Sequence, residues 1–180
     1  MRLRFFLFML YFIGDIMIIN WKDDFVTNLD VTQVYGIIFS NDGRILLKCE
    51  NKNNKKVYSF FGGHPEDFDT SYIDTLNREL FEEANISVSN PIYVGYQYVD
   101  EENGKAPYAQ LRYTAVLDIV GKNRPDLDNN ILYERILCPP QVAVRLLGWG
   151  DIALKQINAS IDIAKRNFCF NEINNNIESI

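Results

Sequence analysis

The sequence predicts one α+β domain, and three observations predict it. Runs of β-branched and aromatic residues with turn chemistry between them recur along the chain, a capped amphipathic helix interrupts them near the middle, and a second helical stripe follows towards the end. A chain of 180 residues, 47% hydrophobic, can bury one sizeable core and is too short for two ordinary domains. The reading places that domain at 20–170, after a hydrophobic extension at 1–19 and before a tail at 171–180.

The elements follow in order. Arg2 and Arg4 precede the apolar run Phe5–Ile13, as at the start of a signal peptide, but no small-x-small cleavage site follows. The run is also shorter than the roughly 20 residues of a membrane span. The expectation is therefore a cytoplasmic protein without a membrane role, with association or export through 1–19 as the alternative. A start at Met17, giving MIINWKDDF, and a hydrophobic helix packed on the domain are the other readings of this segment.

Val31–Phe39, the turn residues Asn41-Asp42-Gly43-Arg44 and Ile45–Cys49 read as a β-hairpin. Glu50–Lys56 reads as a polar loop, and Val57–Phe61 as a strand that stops at Gly62-Gly63, where the backbone gains freedom other residues lack. Ser71 and Asp74 make a capping box for a helix running to Ala84. At 100° per residue, Ile73, Leu76, Leu80, Phe81 and Ala84 form a buried face, and Glu79, Glu82 and Glu83 form a separate acidic stripe beside it.

Ile92–Val99 and Tyr108–Val120 then read as strands joined by Glu101-Glu102-Asn103-Gly104-Lys105. The second alternates so that Ala109, Leu111, Tyr113, Ala115, Leu117 and Ile119 face a core, leaving the Tyr108, Gln110, Arg112, Thr114, Val116 and Asp118 face available to a ligand. A polar loop over 121–130, a short element through Leu132–Leu137 and a break at Pro139-Pro140 come next. The last helix starts at an N-cap Asp151 and carries Leu154, Ile157, Ile161 and Ala164 on one stripe. From Asn171 the chain has little to bury and reads as disordered.

Composition excludes several functions. The net charge is −6 with Lys and Arg scattered, so no basic stripe exists for a polymeric nucleic acid. Three distant cysteines form no CxxC or Cys/His spacing, which fits a reduced intracellular setting. With His64 as the only histidine, multi-imidazole zinc sites and histidine triads centred elsewhere fall away. An acidic protein can still bind a small phosphate ester when divalent cations sit between its carboxylates and the ligand.

The segment GGHPEDFDTSYIDTLNRELFEEANI, Gly62–Ile86, resembles the Nudix box, G-x5-E-x7-R-E-U-x-E-E-x-G-U with U a bulky aliphatic residue. Its core, Arg78-Glu79-Leu80-Phe81-Glu82-Glu83, matches throughout, and the order of elements around it is similar to the Nudix α/β/α sandwich with a mixed central sheet. The resemblance implies a Mg²⁺-dependent pyrophosphohydrolase, with Mn²⁺ as a substitute metal, that cuts a phosphoanhydride bond in a nucleoside diphosphate linked to another group. Carboxylates at i, i+3 and i+4 suit such a cation, which takes hard oxygen ligands. On this resemblance Glu82 and Glu83 are metal ligands, Glu79 is a ligand or the base that orients water, and the Gly62 carbonyl completes the site. Arg78 orients the acidic groups, pairing with Asp69 and Glu79. The family's frequent dimers make a homodimer an expectation as well.

Three positions depart from the pattern. Asp69 stands where the family has Glu, eight residues rather than seven separate it from Arg78, and Asn85 replaces a glycine. Asparagine tolerates the left-handed helix cap best among non-glycine residues. Phe61 also precedes the glycines where a proline is common.

Substrate contacts are read at Gly63, His64, Arg112, Gln110 and Glu134. Each has a plainer reading: a histidine in a Gly-Gly loop is more often a turn or surface residue, Arg112 and Gln110 suit cross-strand pairs, and Glu134 suits a surface ion pair with Arg135. Trp149 reads as a packing anchor, and Phe60, Tyr96, Tyr98 and Tyr108 as packing rather than base-stacking groups. Two rivals stand beside the hydrolase. A catalytically silent nucleotide sensor would lack box carboxylates, and an isomerase of the isopentenyl-diphosphate kind would need more histidines.

Overall fold

The computed structural model describes residues 17–170 and 174–180. The run Phe5–Ile13 and most of the predicted 1–19 extension lie outside the described residues, as do residues 171–173. Among the described residues no helix is long and apolar enough to cross a membrane.

The chain runs β1 (Ile18–Lys22), β2 (Asp30–Phe39), β3 (Ile45–Lys52), β4 (Lys55–Ser59), β5 (Phe61–Gly63), α1 (Tyr72–Ala84), β6 (Ile86–Asp100), β7 (Tyr108–Val120), β8 (Glu134–Cys138), α2 (Pro140–Leu147), α3 (Asp151–Asn167) and β9 (Glu178–Ser179). The sheet order is β1-β6-β7-β2-β3-β8-β9, with β4 added to β3 and β5 to β2. Every pairing is antiparallel except the central β2–β7 pair, so the sheet is mixed. One edge of β2 meets β7. Its other edge meets β3 at Ile38–Phe39 and β5 at Val34–Gly36.

Alternation along β2 divides the core, as period-two geometry requires. Val34 and Ile38 pack with Leu111, Ala115 and the α1 residues Leu76, Leu80 and Ala84. Ile37 and Phe39 pack on the opposite side with Ala143 and Leu147 of α2 and Ala153, Ile157 and Ala164 of α3. The result is the α/β/α sandwich, with α1 on one face and α2 and α3 on the other.

Several expectations are corrected. The 50–56 loop is a two-residue turn, because Asn53 and Asn54 both take positive φ and close β3 on β4 as a type I′ hairpin does. The predicted 57–61 strand breaks at Phe60, and its two pieces pair with different partners. Pro139-Pro140 does not only break the chain: Pro140 opens α2, where its fixed φ and missing N–H cost nothing. Residues 174–180 are ordered by contacts a polar sequence hides, since Asn174 donates to Asp42 and β9 pairs with β8.

Three side chains predicted inside lie outside, among them Ile119, which is 63% exposed near the end of β7. Leu154 is turned outward, and α3 buries Ala153, Gln156 and Ser160 alongside Ile157 and Ala164. Phe81 is exposed, its ring lying 4.4 Å from the Arg124 guanidinium carbon. The supposedly free face of β7 is covered by α3, so Arg112 is 2% exposed and Thr114 fully buried.

Helix α1 is held firmly at both ends. Ser71 accepts a hydrogen bond from the Asp74 amide, while Thr70 rather than the cap backbone contacts the Asp74 carboxylate. Asn85 caps the other end at φ 49°. No basic residue occupies the last turn, yet Arg124 donates to the Phe81 carbonyl at 3.1 Å and Arg135 to the Ala84 carbonyl at 2.9 Å. Arg135 thus satisfies a carbonyl that the helix end leaves unpaired, and Arg124 adds a second bond to one that already accepts from the Asn85 amide.

Candidate active site

The turn at Gly62-Gly63 decides where the acidic stripe of α1 sits. Gly62 has φ +140°, and a Cβ there would lie 2.1 Å from the Val34 carbonyl oxygen. A Cβ on Gly63 would lie 2.5 Å from the Glu79 carboxylate. Bare backbone therefore lets α1 press its carboxylates onto β5. The Gly62 amide donates to Glu83 at 3.0 Å, so this residue touches the acidic group through its N–H.

Each carboxylate of the stripe is met by a protein cation. Arg78 donates to Glu79 and Glu82, both at 2.9 Å, and closes a fork on Asp69 at 3.1 and 3.0 Å. The shorter Asp69 and the extra residue before Arg78 thus leave the fork intact. Asp69 also accepts from the Glu66 amide and the Thr75 hydroxyl, and this set of donors, Arg78 first, holds its carboxyl at about 2. Lys48 reaches from β3 to Glu83 at 2.5 Å, with its ammonium over the Tyr133 ring.

Burial works against these charges. Glu79 and Glu83 are 9% and 7% exposed. Desolvation lifts the Glu79 carboxyl to about 7 despite the adjacent Arg78. It raises Glu83 too, against the opposing pull of Lys48 and the Gly62 amide. Among the described residues no three His, Cys, Asp or Glu side chains stand preformed as a metal cage. The donor chemistry nevertheless fits a hard divalent cation: three carboxylates share one helical face, two of them are buried, and Arg78 and Lys48 supply the positive charge they require.

The other predicted residues separate into two groups. His64 is exposed and contributes its backbone carbonyl, which accepts from Arg78 at 2.7 Å. Glu134 forms an exposed pair with Lys56 at 2.8 Å, apart from the stripe and not with Arg135. Arg135 is buried and donates to backbone carbonyls. The loop carboxylate whose charge reaches Glu83 is Asp126, 5% exposed and held by the Asp128 amide and Asn129.

Arg112 and Gln110 line a cavity of ≈ 180 Å³ together with Ile19, Tyr35, Ser59, Phe60, Gln97, Trp149 and Ile152. Tyr35 joins this cavity to the acidic stripe. It is paired across the sheet with Gly62 on one side and Arg112 on the other. Sequence reasoning missed Lys48, Asp126, Tyr35, Gln97 and Gln156. No local spacing marks them, because each reaches the site from a separate element. Trp149 packs edge-on against Phe60 at 5.5 Å, an anchor that also lines the cavity.

A NUDIX domain profile matches residues 31–154, more than half of the chain. The protein belongs to the NUDIX family and is a hydrolase of that family. No curated protein matches the sequence. Among solved structures, a pyrophosphohydrolase from Bacillus subtilis is similar over 80% of this chain and 92% of its own, at 18% identity and a TM-score of 0.58. The NUDIX domain of NrtR from Shewanella oneidensis, solved with ADP ribose, covers 76% of this chain and 90% of its own at 14% identity and TM-score 0.54. An Ap4A hydrolase from C. elegans covers 76% and 98% at 14% identity and TM-score 0.52. At such identities the likeness is one of fold.

Proposed function

We propose that the protein is a Mg²⁺-dependent pyrophosphohydrolase that cleaves a phosphoanhydride bond in a nucleoside diphosphate linked to another group. Nucleoside triphosphates, oxidised nucleotides, dinucleoside polyphosphates and nucleotide sugars all carry that bond. The observation supporting this most is the acidic face of α1, with Glu79 and Glu83 buried against the glycine turn.

Glu79, Glu82 and Glu83 would hold the cation, with Mn²⁺ as a substitute. Once bound, it would neutralise bridging phosphates and acidify a coordinated water. The chain's own groups do the rest. Glu79 would orient the attacking water, either as a ligand of the cation or as the base. Arg78 fixes Glu79 and Glu82 in place through its fork on Asp69, and the bare backbone at Gly62 and Gly63 leaves room for phosphate oxygens beside the stripe. Lys48 and Arg78, paired with Glu83 and with Glu79 and Glu82, are the cations beside the stripe that would balance the charge of phosphate oxygens bound there.

The test is phosphate or pyrophosphate release from nucleoside triphosphates, dinucleoside polyphosphates, ADP-ribose and nucleotide sugars, with Mg²⁺ and with EDTA. Glu82→Gln is the variant of choice because Glu82 is the least buried of the three. Turnover should require Mg²⁺ and fall about 100-fold in the variant, at the upper end of what even outer-shell partners cost. Binding without turnover across the panel, or turnover indifferent to EDTA, would overturn the proposal in favour of a sensor or a different chemistry.

A further inference from the structure

The cavity beside Tyr35 contains a charged group with no counterion. Among the described residues Arg112 is the largest fully buried side chain, and no carboxylate of theirs lines the cavity it faces. Burying a lone guanidinium is costly unless its donors are all satisfied. Here neutral oxygens satisfy them: Nε donates to Gln156 Oε1 at 2.8 Å, Nη1 to the Leu111 and Gln110 carbonyls at 3.1 and 3.3 Å, and Nη2 to Gln97 and Gln110 Oε1 at 3.2 and 3.4 Å. The Tyr35 ring lies 4.7 Å from its central carbon.

This arrangement fixes the polarity of the whole cluster. A guanidinium has five N–H donors and no acceptor, so each glutamine facing it must present its oxygen. The amide nitrogens then form a relay: Gln156 donates to Gln97 at 2.9 Å, Gln97 to Gln110 at 3.4 Å, and Gln110 to Gln33 at 2.5 Å. Among the described residues each of these NH₂ groups makes one such bond, which leaves its second hydrogen over. The cavity wall therefore offers spare N–H donors from Gln97 and Gln110, whose oxygens already serve Arg112. The Tyr35 and Ser59 hydroxyls can act either way, and Phe60, Trp149, Ile19 and Ile152 supply apolar walls.

Size and position narrow the occupant. At ≈ 180 Å³ the cavity is smaller than the roughly 300–1,000 Å³ of pockets that take whole ligands, so it takes one ring system. Arg112 and Gly62 flank Tyr35 on adjacent strands, so the cavity reaches from Ser59 and Phe60, just before the glycine turn, to Arg112, about 10 Å or two strand spacings from Gly62. A phosphate would be stripped of water against four apolar side chains, whereas a neutral base with an acceptor edge is not.

We propose that this cavity holds the base of the substrate, and that Arg112, by turning Gln97 and Gln110 donor-side out, selects 6-oxopurines over adenine. Guanine and hypoxanthine present two adjacent acceptors, O6 and N7, while adenine places an N6 amino donor beside N7. The donor wall complements the first pair and opposes the second. The same logic disfavours 8-oxoguanine, whose N7 carries a hydrogen.

The inference deepens the hydrolase reading, and its test is separable from turnover. Binding of GMP, IMP, AMP and 7-deaza-GMP is measured by calorimetry in EDTA, where no hydrolysis occurs. GMP and IMP should bind about tenfold more tightly than AMP, and 7-deaza-GMP, which lacks the N7 acceptor, should lose about the same factor. Arg112→Lys, which keeps the charge but not the fork, should abolish the preference. The 7-deaza comparison needs no variant and stands even if Arg112→Lys folds poorly. Equal affinity for GMP and AMP, or displacement of GMP by inorganic phosphate at similar concentration, would overturn the assignment whether or not the protein proves to be a hydrolase.

Discussion

The acidic face of α1 and the Arg112 cavity handle buried charge in opposite ways. On α1, anions are crowded together and cations arrive from nearby or from across the fold, Arg78 from the same helix and Lys48 from β3. In the cavity a single cation is solvated by neutral amides and backbone carbonyls. The first site has charge to exchange with a metal and a phosphate chain. The second has no charge to exchange and is built for shape and hydrogen-bond polarity. On the proposed function, this contrast would divide a nucleotide's recognition into an electrostatic half and a directional half.

Gly62 is where the two halves meet, and substituting it should give the largest effect. A Cβ there would overlap the Val34 carbonyl and stand 2.8 Å from the Tyr35 Cα, while the residue's amide serves Glu83. Gly62→Ala is expected to lower stability by at least about 1–3 kcal/mol from backbone strain alone. Activity and nucleotide binding should fall together. Urea unfolding with both assays checks this, and loss of one property without the other would break the proposed link through Tyr35.

A second substitution sharpens the difference by touching one half only. Glu79 titrates near 7 in the folded protein against 4.5 ordinarily, so the native state binds more protons than the unfolded state between those values. Stability from this group is therefore fully present at low pH and declines as pH rises through 7, and the raised Glu83 adds in the same direction. Glu79→Gln in EDTA should flatten the fall in unfolding free energy between pH 5 and pH 8 and leave GMP binding unchanged. An unaltered slope would show that Glu79 does not carry the raised value.

The smallest effect is expected where neither half is touched. Glu134→Ala removes an exposed pair with Lys56 and should change stability by less than about 0.5 kcal/mol, with turnover unaffected. A large loss of turnover would return Glu134 to the site and displace Asp126 as the loop carboxylate nearest Glu83.

How much of this was legible in the sequence depended on whether the relevant residues were neighbours in it. The α1 site was readable because its groups recur at helical spacing after a capped start, and Ser71, Ala84 and Asn85 fell where cap chemistry put them. The mixed sheet followed from the same order of elements. The cavity was legible only in part: Gln110 and Arg112 share one face of an alternating strand and were read as substrate contacts, whereas Tyr35, Gln97 and Gln156 come from three other elements that no local spacing connects. Period-two alternation says which residues share a face; it does not say that α3 will cover that face. Phe81, Ile119 and Leu154 failed for a related reason, since an apolar residue at the margin of a stripe or near a strand end is inside only if a neighbour reaches it. The turn at Asn53-Asn54 was hidden in a polar run whose composition resembles any loop.

Arg135 gives the C-terminal segment a role that its composition does not advertise. Its guanidinium bonds the Ala84, Gly121 and Ile180 carbonyls, while its own carbonyl accepts the Ile180 amide. Helix α1 is thus a beam clamped at its far end by a bolt that passes through the sheet's edge into residues 178–180. One buried guanidinium therefore ties the end of the helix that carries Glu79 and Glu83 to a segment on the opposite side of β8.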